Sequence, residues 1–320
     1  MKVDRNILLF LWRWKLVSST ALAARFFPGL TTSAVNMRLE DVRKKKLIYP
    51  YYMNTTEAKV LWSLTAKGFK EAKVLLPALV EDGFRSEHPL HDFYVTTIHI
   101  GEWLGGVPDG CEVFSEQELR RYDPARYPKW VPSTTLHRPD GYWKIQLPEG
   151  TVVAALEVEL KIKSDSKYGV VAQFYKDHPG VSRVIWVVRT MANAEAIREA
   201  LKSSSPSNIG MHTFILLPDF LTKGWQAPIL FGFEAGESLS CLLLHHRRES
   251  FEKSFVFSML DTRKWPSITK VSAGFSNSSI SPLAGPARSL PGLVPNHDFT
   301  KQTGLPRPLI PQTNTRRKTQ

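Results

Sequence analysis

Between Thr151 and Lys163 the chain reads Thr-Val-Val-Ala-Ala-Leu-Glu-Val-Glu-Leu-Lys-Ile-Lys, a run that few local structures can host. Val152–Leu156 is small and apolar, as in a strand covered by the interior, and charge then enters at every second position. Successive side chains on a strand point to opposite faces. Glu157, Glu159 and Lys161 are therefore expected on one face, with Val158, Leu160 and Ile162 on the other. Upstream, His137-Arg138-Pro139-Asp140 is expected at the end of the neighbouring strand. Carboxylates brought together in this way suit a hard divalent cation, Mg²⁺ or Mn²⁺, which takes oxygen ligands and activates bound water. Asp140, Glu157 and Glu159 are the expected metal ligands, and Lys161 is placed to orient the water or stabilise developing charge. The competing expectation is a solvated face of an amphipathic strand.

These two blocks resemble the Pro-Asp…(Asp/Glu)-x-Lys signature of the restriction-endonuclease-like nuclease superfamily, with Asp140, Glu159 and Lys161 at its three positions and Glu157 as an additional acid. The resemblance implies phosphodiester cleavage on a mixed α/β fold.

The distribution of charge is more informative than its total of +12. Residues 1–70 hold 13 Lys/Arg against 4 Asp/Glu and residues 265–320 hold 7 against 1, so the middle of the chain is slightly acidic. Basic ends flanking an acid-bearing centre suit a polyanion gripped by the ends and processed in the middle. No stretch approaches the ~20 apolar residues of a membrane span. The apolar run Ile7–Trp12 is cut by Arg13 and Lys15, which argues against a secretory signal. Cys111 and Cys241 are far apart and outside any Cys-x-x-Cys pattern, so a reducing cytoplasm is expected, without a disulfide framework or a zinc site.

Residues 1–75 predict a winged-helix DNA-binding domain. Helical spacing of Ile7, Leu8, Leu11 and Trp12 gives a first helix, Ser18-Ser19-Thr20 caps a second over 21–27, and Thr31-Thr32-Ser33 caps a third over 31–46. Two strands follow, at 47–49 and 59–65, and Leu64-Thr65-Ala66-Lys67-Gly68 resembles the exit from a winged helix. The third helix would enter the major groove. Thr31, Thr32, Ser33, Asn36 and Arg38 are expected at bases or phosphates, and Arg43, Lys44, Lys45, Lys46 and Lys59 mainly at phosphates. Protein contacts are the alternative use of such a module.

Residues 76–262 predict the second domain. A helix over 87–99 precedes the Pro-Asp segment, and residues 105–135 read as a helix and a long connection. Restriction-like nucleases place a helix there, often with a residue facing the metal, a role His91 could fill. A helix from Lys167 to Lys176, a strand at 184–188, a helix at 192–202 and a strand at 211–217 follow, with Lys163, Lys167 and Tyr168 expected to face the nucleic acid. Residues 225–261 contain further strand-like pieces, including 240–244. Residues 263–320 are rich in Ser, Pro and Gly, lack an apolar period and predict a disordered basic tail.

The order winged helix, His91-Asp92 helix, His-Arg-Pro-Asp, Glu-x-Glu-x-Lys-x-Lys-Ser and Lys-Tyr resembles the replication-relaxation family, including the MobC-type plasmid relaxases, over roughly residues 5–220. The resemblance implies a protein of plasmids or mobile elements that recognises an origin and nicks one strand, in concert with transfer or replication proteins. It implies His91, Asp140, Glu157, Glu159 and Lys161 as the site. No His-x-His-x-x-x-His pattern of other relaxases is present. A non-catalytic initiator or regulator on a degenerate nuclease fold, and a host-defence nuclease, are the alternatives.

Overall fold

The computed structural model describes residues 2–53, 60–101, 111–134, 136–147, 150–232 and 234–243, all within one compact unit, Met1–Ser272. The expected tail lies outside the described residues, as does Lys59. The fold is mixed α/β, with helices around two sheets.

The first sheet is three-stranded. Helix α1 (Lys2–Trp14) leads into β1 (Val17–Ser18), α2 (Ser19–Phe26) and α3 (Thr32–Lys44), and then β2 (Ile48–Tyr52), β3 (Val60–Leu64) and α4 (Ala66–Lys73). The strand order is β1-β3-β2, antiparallel throughout. Ser18 and Thr31 cap α2 and α3 by accepting the amides of Ala21 and Ala34. Val35, Leu39 and Val42 bury one face of α3, while Thr32, Ser33, Asn36, Met37 and Arg38 stay outside. Strand β1 and helix α4 are additions to the sequence expectation: a two-residue strand is too short to leave a period.

The second sheet has the order β4-β5-β6-β7-β8. Helix α5 (Pro89–His99) precedes β4 (Glu112–Ser115) and α6 (Glu116–Arg121), then β5 (Gly141–Leu147) and β6 (Gly150–Glu159). Next come α7 (Asp165–Asp177), β7 (Arg183–Val188), α8 (Met191–Ser204), β8 (His212–Leu216) and α9 (Leu217–Lys223). Strands β4, β5 and β6 are antiparallel, and β6, β7 and β8 are parallel, each parallel step being bridged by a helix. The segment 105–135 expected as helix and connection therefore also supplies β4. Residues 240–243 are part of a 3₁₀ turn (Leu239–Leu243), not a strand.

Alternation along β6 sorts the interior. Ala154, Leu156 and Val158 join a hydrophobic cluster that continues through α5 and α1 into the first sheet, whereas Val153 and Ala155 face the aromatic cluster of Tyr168, Phe174, Tyr175, Trp186 and Phe214 beneath α7 and α8. The N-terminal segment is seated by specific bonds. Trp12 donates its indole N–H to Gly83 O at 3.1 Å and stacks on Tyr122. Arg13 pairs with Glu118 at 2.8 Å and also donates to the Val113 carbonyl, and Thr96 of α5 donates to Trp14 O at 2.8 Å.

Candidate functional site: a carboxylate cluster at the end of strand β6

The register of β5 on β6 explains why distant residues meet. Gly141 pairs with Leu156, and the Asp140 amide donates to Leu156 O at 2.9 Å. Asp140 thus stands at the entry to β5, not at the end of a strand, beside the carboxyl end of β6 where Glu157 and Glu159 lie. The carboxyl end of a parallel strand, followed by a helix, is where open α/β sheets present their ligand sites.

Each carboxylate has its own partners. The Val158 amide donates to Asp140 Oδ2 at 2.6 Å, and His91 Nε2 lies 3.4 Å from Asp140 Oδ1 and 3.0 Å from Val158 O. Glu157 Oε1 accepts from Tyr175 Oη at 2.6 Å and meets His137 Nε2 at 2.6 Å. Glu159 pairs with Lys163 Nζ at 2.7 Å. Glu157 and Glu159 share the parity of Val153 and Ala155, which is why Tyr175 of the aromatic cluster can reach Glu157.

Burial and charge act against one another here. Burial alone would raise the Asp140 carboxyl, but His91, the Val158 amide and Lys163 together hold it below its ordinary value. Burial would lower His91, yet Asp140 and Asp92 push it up to about 11. Burial likewise opposes the His137 imidazolium, and Glu157 outweighs it, so His137 is raised. Glu159 is raised by burial and by repulsion from Asp140 and Glu157, despite Lys163. Lys163 is raised because Glu159, Glu157 and Asp140 overcome its own burial. Three carboxylates therefore face three basic groups, each drawn toward its charged form by the acid beside it.

This arrangement corrects two sequence expectations. Strand β6 ends at Glu159, so Lys161 falls beyond it, exposed, and the ammonium that meets the carboxylates is that of Lys163. Tyr168 is buried, with its hydroxyl accepting the Lys163 amide at 3.0 Å, so it does not face a nucleic acid. Lys167 is exposed at the start of α7. His137 and Tyr175 were not expected at the site. The adjacency of His137 to Pro139-Asp140 is the one local signal for the first, and Tyr175 lies inside the expected helix from Lys167 to Lys176 with no local mark of its role.

The oxygen donors are chemically suited to Mg²⁺ or Mn²⁺, but their spacing is not. Among the described residues no group of three or more His, Cys, Asp or Glu side chains could hold a metal ion. His91, His137 and Lys163 occupy carboxylate oxygens that a cation would need, so the residues as paired here do not fit a resident metal ion.

On the first sheet, exposed Thr32, Ser33, Asn36, Arg38 and Lys46 remain outward. Thr31 spends its hydroxyl on the α3 cap. Arg43 pairs with Glu40 at 2.6 Å, Lys44 with Asp41 at 3.8 Å and Lys45 with Asp4 at 2.7 Å. Such exposed pairs contribute little to stability. No described helix is long and apolar enough to cross a membrane.

The fold and site define a mixed α/β protein with two sheets and a buried, charge-balanced carboxylate cluster. No family model matches the chain, and no curated protein matches it. Among solved structures it is similar to a cysteine-to-serine mutant of Lactococcus lactis ZitR, at 24% identity and a TM-score of 0.21 over 23% of this chain. That match spans 49% of the ZitR chain, about half its length.

Proposed function

We propose that the protein is a DNA-binding initiator or regulator, with a winged-helix module over residues 1–75 joined to a restriction-endonuclease-like sheet that binds without cleaving. The observation that carries the non-cleaving part is that Asp140, Glu157 and Glu159 each have a basic partner within 3.4 Å, His91, His137 and Lys163. A carboxylate set already neutralised from within offers no vacant cluster to a divalent cation. DNA binding is supported by the 13 Lys/Arg against 4 Asp/Glu in residues 1–70 and by the exposed polar face of α3. The resemblance to the replication-relaxation family makes an origin on a plasmid or mobile element the natural target.

A second reading, the origin-specific Mg²⁺- or Mn²⁺-dependent nickase, is favoured by one observation. Three acids and Lys163, from separate segments, converge at the ends of β5 and β6. It requires the carboxylates to exchange their present partners.

One experiment separates the two. The full chain is incubated with supercoiled plasmid, with and without the cognate origin, in Mg²⁺ or Mn²⁺, and binding is followed in parallel by band shift. Origin-dependent binding without nicking is the expected result. Nicking that disappears in Asp140→Asn and Glu157→Gln would overturn it in favour of the nickase, and absence of binding would remove both readings.

A further inference from the structure

Lys15 is the least ordinary residue of the N-terminal segment. It follows α1 with φ 60°, a left-handed conformation that costs a non-glycine residue on the order of 1 kcal/mol. Its side chain is nevertheless buried, with Nζ 2.6 Å from Glu116 Oε2 and 3.3 Å from both oxygens of Asp92. Glycine would meet the backbone requirement without strain, so the ammonium is what this position uses.

The contacts continue inward. His91 Nδ1 lies 3.7 Å from Asp92 Oδ1, and its Nε2 faces Asp140 Oδ1 at 3.4 Å. Charges alternate along this path: Glu116, Lys15, Asp92, His91, Asp140. A cavity of about 20 Å³, room for one water molecule, lies along the same path and is lined by Lys15, Asp92, Thr96, Glu116 and Asp140 among others. The path starts at the residue linking α1 to β1, the first strand of the first sheet, and ends on the carboxylate that accepts the Val158 amide.

We propose that Lys15 is a positioning residue for Asp140: acting through Asp92 and His91, it ties the orientation of the Asp140 carboxylate to the seating of the N-terminal segment, and so transmits DNA occupancy of the first sheet to the carboxylate cluster. The positioning part stands on the contacts alone, and the transmission part rests on the DNA-binding reading above. Removing the ammonium frees Asp92, which then competes for His91, and the Asp140–Val158 bond loosens.

The test uses the full chain as wild type, Lys15→Gly and Lys15→Arg, with amide hydrogen exchange and the ring signals of His91 read by NMR. Lys15→Gly relieves the backbone strain, and Asp92→Asn breaks the same path at its next member should the glycine variant not fold. Either variant is expected to speed exchange of the Val158 amide by about tenfold and to move the His91 signals, with the Ile185 amide of the sheet interior unchanged. Lys15→Arg restores both. Val158 and Ile185 changing in step, or neither changing, would overturn the positioning role. In a second arm a short DNA duplex is added at low salt. A shift of the His91 signals in wild type and not in Lys15→Gly is expected, whereas binding with no shift in wild type overturns the transmission. A duplex that does not bind defeats the DNA-binding reading and removes the transmission with it, leaving the positioning result of the first arm intact.

Discussion

Trp143 donates its indole N–H to His99 Nδ1 at 2.7 Å, and that one bond fixes the protonation of a fully buried imidazole. With Nδ1 accepting, Nε2 must carry the proton, and it donates to Asp140 O at 3.0 Å. Trp186 holds His212 in the same way, through Nδ1 at 3.0 Å. A second proton, on Nδ1 of either ring, would oppose the indole N–H that donates there.

Acid should therefore unfold the protein early. Burial pushes both His99 and His212 down to about 4 from an ordinary 6.5. Between those values the unfolded chain binds more protons, so the stabilisation is complete above pH 6.5 and lost as pH falls toward 4, at roughly 3 kcal/mol per histidine at most. His91, pushed up to about 11, acts in the opposite sense and only above pH 6.5, where its contribution declines with rising pH. Urea midpoints measured from pH 7 to pH 4.5 should fall, and His212→Gln should flatten the fall. Equal midpoints at both ends would contradict the neutral-histidine assignment.

Gly68 gives a physical reason for the Leu-Thr-x-Lys-Gly exit. A Cβ at this position would stand 1.9 Å from Leu47 O, a backbone atom that also accepts the Thr65 amide at 3.0 Å and cannot move away freely. Helix propensity alone favours Ala over Gly by about 1 kcal/mol. Gly68→Ala should instead destabilise by about 2–3 kcal/mol, the cost of forced overpacking. The sign of the change in thermal midpoint decides between propensity and contact.

How far the sequence could be read follows from the range of each interaction. The run Val152–Leu156 and the alternation after it locate β6, because burial of a whole strand leaves a local period. The helices α3, α5, α7 and α8 are legible for the same reason, as their apolar spacing is local, and α3 and α8 are further marked by the hydroxyl caps Thr31 and Thr190. Where β6 stops is set by the turn into α7 and by Tyr168 beneath it, which is why Lys161 and Lys163 could not be told apart in advance. His137 and Tyr175 converge on Glu157 from 20 and 18 residues away, and no local pattern encodes that meeting. The Lys15 path is similarly invisible, since it joins residues 77 positions apart.

Glu157 depends on its two donors. Tyr175→Phe removes one from Oε1 while keeping the ring in the aromatic cluster, so a buried carboxylate is left with His137. A loss of about 1–3 kcal/mol is expected, the range for stranding a buried acceptor. Adding Glu157→Gln should recover part of it, because an amide is easier to leave partly satisfied than a charge. Chemical denaturation of the two single variants and the double variant measures this coupling, and strict additivity would mean that Tyr175 and Glu157 do not act together.

On the proposed DNA-binding reading, Arg38 is the residue that would separate phosphate contact from helix chemistry on α3. It is exposed and makes no ion pair among the described residues, whereas Arg43 and Lys44 sit one turn or less from Glu40 and Asp41 and lean on them. Counterion release makes the logarithm of affinity fall linearly with that of salt, with a slope proportional to the phosphates neutralised. Arg38→Ala should therefore weaken duplex binding at low salt and reduce the magnitude of the salt slope by about 1 if it contacts a phosphate. A contact to a base edge would instead leave the slope nearly intact and cost about 1–3 kcal/mol only on the preferred sequence. Arg43→Ala should change the slope by less, because the arginine must first leave Glu40. Fluorescence anisotropy titrations across a salt series, on cognate and scrambled duplexes, read all three quantities. A slope unchanged by Arg38→Ala on both duplexes, at unchanged affinity, would move the DNA surface off α3 altogether.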